Sequence, residues 1–154
     1  MYRKGVSALI INNKGEFLLA NLRSFEEQYF AVPGGGVEEG ETLEEAAYRE
    51  IAEELGIEKE LLELTGASNE PLKFEFKEIK LMRDGKEYRG SERNFFGLRF
   101  LGTDDDIKLL DGEVRAFAWV SYEKLGDYLL FDNQHADTLE KVHEIFPKYG
   151  IMRK

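Results

Sequence analysis

Residues 35–57 read G-G-V-E-E-G-E-T-L-E-E-A-A-Y-R-E-I-A-E-E-L-G-I, a glycine-rich turn running into a helix whose last two turns carry Glu50, Glu53 and Glu54. At about 100° per residue, Leu43, Ala46, Ala47, Ile51 and Leu55 define the arc that faces a core, and Glu50 and Glu54 fall inside it. A carboxylate on the buried side of a helix is costly unless it is paired or coordinates a metal. Glu53 and Glu54 also stand three and four positions after Glu50, so the three charges share one strip and repel one another unless a cation sits among them. An ordinary solvated acidic helix would keep its charges on the open face, where Glu45 lies. The chain must therefore pack this helix on an apolar layer and find a use for clustered carboxylates beside it.

Thr42 and Glu45 have capping-box spacing, so the helix begins near 42, and Gly56 ends it. Strands are predicted over 5–11 and 16–22, joined by a turn at Asn12, Asn13, Lys14 and Gly15, and over 29–32, stopped by Pro33 and the following glycines. Residues 72–82 alternate weakly and 94–101 are apolar and aromatic, with Asp84-Gly85 between them as a hairpin turn. Residues 115–120 predict another strand, Ser121 opens a short helix, and 136–146 form a last one with Leu139, Val142, Ile145 and Phe146 on its apolar face. No repeat or low-complexity linker interrupts the 154 residues, a length that suits one domain spanning 1–154. The expected class is α+β, with helices covering a mixed sheet.

Charge and composition exclude several functions. The net charge is −10, yet residues 38–60 hold ten glutamates against Arg49 and Lys59, so the acidity is concentrated on the helix and its flanks. Broad nucleic-acid binding needs many lysines and arginines on phosphates, so DNA is not an expected partner, whereas one phosphorylated end is still compatible once cations offset the glutamates. With no cysteine, neither a disulfide framework nor a thiolate metal site is available. The apolar run 6–11 is too short for a signal or membrane segment, so the expectation is a cytoplasmic protein with no membrane partner, as a monomer or a homodimer.

The stretch matches the Nudix box at every fixed position: Gly35, Glu41, Arg49, Glu50, Ile51, Glu53, Glu54, Gly56 and Ile57. On those residues the chain resembles the Nudix hydrolases. The resemblance implies the Nudix fold, an α/β/α sandwich with a mixed sheet, and cleavage of a nucleoside diphosphate linked to another group with Mg2+ or Mn2+ as cofactor. It also implies that Glu50, Glu53 and Glu54 ligate the metal, with the Gly34 carbonyl as a further ligand. Hard oxygen donors suit these ions, which neutralise phosphate charge and acidify water. Glu113, in D-G-E-V-R just before a strand, is the candidate for the additional ligand or base that many Nudix enzymes draw from outside the box. Glu53, Glu54, Glu113 and Arg49 thus form the expected catalytic set, Arg49 orienting the carboxylates or a structural Glu41 rather than touching substrate.

Most of the chain further resembles the dinucleoside polyphosphate hydrolase and RNA 5′-pyrophosphohydrolase branch of that family. Tyr2-Arg3, Gly90 followed by a polar run into Phe95-Phe96, and Phe117-Ala118-Trp119-Val120 after Glu113 follow its order. Carried over, Arg3 contacts a polyphosphate, Phe131 stacks on a base, and Arg23 meets base or phosphate of a nucleotide or an RNA 5′ end. Two stretches depart: the branch has P-Q-G-G where this chain has Pro33-Gly34-Gly35-Gly36, and a lysine- and glutamine-rich run where it has Ser91-Glu92-Arg93-Asn94. A nucleoside triphosphate or nucleotide-sugar hydrolase, and a non-catalytic nucleotide-binding module, are the alternatives. His135 and His143 read as ordinary surface residues and Trp119 as core, while Phe25, Tyr29 and Phe30 are open candidates for clamping a base.

Overall fold

The computed structural model describes residues 1–82, 84–109, 112–130 and 134–147. A mixed sheet runs in the order β4 (Leu62–Ala67), β6 (Glu87–Phe100), β1 (Tyr2–Ile11), β2 (Phe17–Leu22), β7 (Val114–Val120). Two further strands join it off that path, β3 (Gly34–Gly36) against β1 and β5 (Leu72–Leu81) against β6. Among the described residues only β1 and β6 are parallel, and every other strand pair is antiparallel. Side-chain alternation along the strands separates two cores. On one face Val6, Ala8, Ile10, Leu18, Phe96 and Leu98 pack on Ala46, Ala47, Ile51 and Leu55 of α1 (Leu43–Leu55). On the other, Leu9, Phe17, Leu19 and Phe95 pack on Leu125 and Leu129, in and just beyond α2 (Leu125–Tyr128), and on Val142 of α3 (Gln134–Ile145). Helices on both faces of a mixed sheet make the α/β/α sandwich that the Nudix resemblance implied.

The local chemistry of α1 is as its sequence predicted. Thr42 accepts from the Glu45 N–H at 3.1 Å while the Glu45 carboxylate accepts from the Thr42 N–H at 2.8 Å. Gly56 caps the other end at φ 63°, where an added Cβ would lie 2.2 Å from the Lys108 carbonyl oxygen. The hairpin turn at Asp84-Gly85 also forms, with Gly85 at φ 81° and the Lys86 N–H donating to Asp84 at 2.9 Å.

Several boundaries differ from the sequence expectation, each for a tertiary reason. The third strand is not at 29–32, where Ala31 makes only an isolated bridge with Ala20; it is the glycine run itself, paired with Gly5, Val6 and Ser7. Glycines weaken a strand in isolation, but here β1 supplies a ready edge and the space on either side is already taken by Glu50, Arg93 and Arg3. β1 begins at Tyr2, so Arg3 lies within the sheet rather than before it, and β6 begins at Glu87, not 94. β4, over residues for which the sequence pattern predicts no strand, pairs with β6 alone in the sheet.

Candidate active site

The box glutamates differ sharply in exposure. Glu53 has 52% of its side chain exposed and Glu50 has 14%, and Glu54 as a residue is 6% exposed. Glu50 and Glu54, which the helical wheel puts inside the core-facing arc, are the two more buried ones. Glu54 reaches the glycine strip and accepts the Gly34 N–H at 3.0 Å. Gly35 turns its bare Cα to Glu50: an added Cβ would sit 2.4 Å from the carboxylate. Burial raises the Glu54 pKa from 4.5 to about 8; the Gly34 N–H and Arg93 oppose that rise, while Glu50 and Glu113 add to it. Burial also raises Glu50, against the hydrogen bond and charge of Arg49.

Arg49 ties the acidic groups into a frame. Its Nε donates to Glu41 at 2.6 Å and one Nη to the same carboxylate at 3.0 Å and to the Gly36 carbonyl at 2.8 Å. The other Nη donates to Glu50 at 2.9 Å and to Glu53 at 3.3 Å. The hydrogen bond to Glu41 raises the Arg49 pKa above its ordinary value, and the same bond lowers that of Glu41. Glu41 also accepts from the Glu38 N–H at 2.9 Å, pinning the loop that leads into α1.

Glu113 and Arg23 come together at the β2–β7 end, where the Arg23 N–H donates to the Glu113 carbonyl at 2.8 Å beside an irregularity at Asn21/Leu22. Both side chains are exposed, and Glu113 is close enough to act electrostatically on Glu54. Arg3 lies over the strip from its other side; a Cβ on Gly36 would meet its Nη2 at 2.4 Å. Phe131 lies outside the described residues. Trp119 packs toward the α1 core, stacked on Phe100 with its Nε1 donating to Asp104 at 2.7 Å. His143 pairs with Tyr122, and His135 packs at Gly126, away from the carboxylates.

Arg93 is the site residue that sequence reasoning passed over. Its Nη1 donates to the Val6 carbonyl at 2.7 Å and approaches Ser7 Oγ at 3.4 Å, and it occupies the space that a Gly34 side chain would need. Burial lowers its pKa, Glu54 and Glu50 raise it, and Arg3 lowers it. The available sequence signal was weak: Arg93 shares the strand alternation of Phe95, and only pairing with Gly5 reveals the vacancy it fills. A groove of about 520 Å3 lined by Ile11, Asn12, Thr65, Arg99 and Phe146 opens at the other end of β1, away from these residues.

Among the described residues no three carboxylates or histidines already converge as a finished metal cage. The donor set nevertheless suits a hard divalent cation. Glu54 is buried with no ion pair within 4.0 Å among the described residues, Glu50 is largely buried, and both lie near the C-terminal, negative end of α1, where the helix dipole opposes anions.

Comparison with known proteins places the chain. The family profile described as NUDIX domain matches residues 1–142, and the chain belongs to the Nudix family. It is 32% identical to the RNA pyrophosphohydrolase of Pelagibacter ubique over 93% of this chain and 92% of that one. It is 33% identical to the RNA pyrophosphohydrolase of Sphingopyxis alaskensis over 77% of each. Among solved structures, a C. elegans Ap4A hydrolase in a binary complex superposes with a TM-score of 0.64 at 26% identity, covering 87% of this chain and 90% of that one. The E. coli dihydroneopterin triphosphate pyrophosphohydrolase, at 21% identity and a TM-score of 0.69 over 91% and 96% of the two chains, shares the fold.

Proposed function

We propose that the chain is a single Nudix domain that works as a metal-dependent pyrophosphohydrolase, cleaving a phosphoanhydride bond at a triphosphorylated RNA 5′ end or in a dinucleoside polyphosphate by water attack on phosphorus. The observation that carries the reading is the buried, mutually repelling Glu50–Glu54 pair held against the glycine strip. The names of the related proteins supply the substrate class.

Glu50, Glu53 and Glu54, with Gly34 and Glu113 as additional donors, would hold Mg2+ or Mn2+. Such ions neutralise phosphate oxygens and acidify water. The chain's own residues do the rest. Arg49 fixes Glu50 through one nitrogen and the strip through the Gly36 carbonyl, so that the carboxylates are aligned before substrate arrives. Glu54 is held by the Gly34 N–H, which favours its ionised form against the cost of burial. Glu113, exposed at the rim and acting on Glu54 through its charge, is our candidate either for that additional donor or for the base that takes a proton from the attacking water. Arg3 offers a guanidinium to the polyphosphate, and Arg23 lies on the loop that follows β2 to meet base or phosphate.

A substrate panel tests this reading. Triphosphorylated RNA, a dinucleoside tetraphosphate, nucleoside triphosphates and a nucleotide sugar are incubated with Mg2+ or Mn2+, and products are resolved by chromatography. The first two should turn over fastest and metal removal should abolish turnover; preference for the nucleotide sugar would overturn the substrate assignment.

A further inference from the structure

Arg3 and Arg93 lie on one face of the sheet. Arg3 pairs with Ser91 and Gly5 with Arg93 in the β1–β6 register, so both arginines project from the same side. Gly34 and Gly36 present that same side through their pairing with Ser7 and Gly5. A Cβ on Gly34 would meet Arg93 Nη1 at 3.0 Å, and a Cβ on Gly36 would meet Arg3 Nη2 at 2.4 Å. Two residues of strand separate these glycines by roughly 7 Å. The two guanidiniums therefore flank one short stretch of the glycine strip.

Neither guanidinium has an ion-pair partner among the described residues; Glu54 and Glu50 act on Arg93, and Asp84 on Arg3, only from farther away. Among the described residues no carboxylate lies within 4.0 Å of either one, although the chain carries 31 acidic residues and a net charge of −10. Arg93 spends Nη1 on the Val6 carbonyl and Ser7 Oγ, and its Nε and Nη2 have no acceptor among the described residues. No buried side-chain nitrogen or oxygen there lacks a partner, so those two nitrogens reach solvent. The two arginines also repel each other, which an anion between them would relieve. Arg93 is held by the backbone at one nitrogen and open at the others, a preorganised donor set.

We propose that Arg93 binds a phosphoryl group of the substrate other than the one attacked, sharing it with Arg3 across the glycine strip. The proposal rests on the polyphosphate reading above. It separates the two halves of the site: the carboxylates of α1 act on the scissile bond, and the arginine pair recognises the phosphate beyond it.

Binding of inorganic tripolyphosphate in magnesium, measured by titration calorimetry on wild type, Arg93→Gln, Arg3→Ala and the double variant, tests it. Each single variant should weaken binding at least about tenfold, and the double variant should lose less than the product of the two, because both contact one group. On triphosphorylated RNA, Arg93→Gln should raise KM more than it lowers kcat. Unchanged tripolyphosphate affinity, or fully multiplicative losses, would overturn the shared receiver. If Arg93→Gln does not fold, Arg93→Met serves: it fills much of the same space with no charge and no donor, so unchanged affinity there also overturns the proposal. Wild type that leaves triphosphorylated RNA intact yet binds tripolyphosphate through both arginines would refute the substrate reading and leave the receiver standing.

Discussion

The two sides of the glycine strip handle charge in opposite ways. On the α1 side, one arginine is shared among Glu41, Glu50 and Glu53, so cationic charge is scarce and fully committed, while Glu54 is left buried beyond its reach. On the other side, Arg3 and Arg93 stand without a carboxylate partner within 4.0 Å among the described residues. A protein selected for stability alone would let the two sides neutralise each other. Three residues without side chains lie between them, so Glu54 and Arg93 act on each other through charge without a direct ion pair, leaving an acidic rim and a basic rim that a cation and a polyanion together would satisfy.

The largest test of that contrast falls on the acidic side. Glu54→Gln should lower turnover by at least about a hundredfold, because a lost charged ligand removes several kcal/mol of transition-state stabilisation. Steady-state kinetics at saturating magnesium checks it, and near-normal turnover would dissolve the difference between the halves.

Stability of the metal-free protein gives the next effect. The Glu54 carboxyl is raised from 4.5 to about 8 in the folded chain. Below pH 4.5 both states are protonated; as pH climbs, the unfolded chain ionises first, so stability falls until the folded carboxyl ionises near 8. With chelator present, denaturant melts should show a loss on the order of 2–4 kcal/mol between pH 4.5 and 8. Glu54→Gln should flatten that slope and leave the metal-free fold as stable or more so near pH 8. A metal-free protein that gains stability over this range would contradict the account of Glu54.

On the opposite side, Arg3→Ala should cost ~1.5–3 kcal/mol in kcat/KM for triphosphorylated RNA or a dinucleoside tetraphosphate, the worth of a charge-assisted hydrogen bond. A nucleotide sugar, with no distal phosphate, should lose much less. Equal losses on both substrates would mean that Arg3 does not read the polyphosphate.

The smallest expected effect concerns the boundary between the halves. Glu113→Gln should lower kcat roughly tenfold with little change in KM, as for a group whose interaction grows in the transition state. An unchanged kcat would return Glu113 to the surface.

What the sequence determined by itself is local and periodic. The arc of α1 follows from a 3.6-residue repeat, its ends from Thr42, Glu45 and Gly56, and the burial of Glu50 and Glu54 from their place on that arc. These require no knowledge of what lies opposite. The tertiary structure decided the rest, because each remaining feature depends on a partner distant in the chain. The glycine run is a strand only because β1 offers it an edge, and β4 only because β6 does. Arg93 enters the site because Gly5, 88 positions earlier, leaves it room, and no pattern within either segment encodes that meeting.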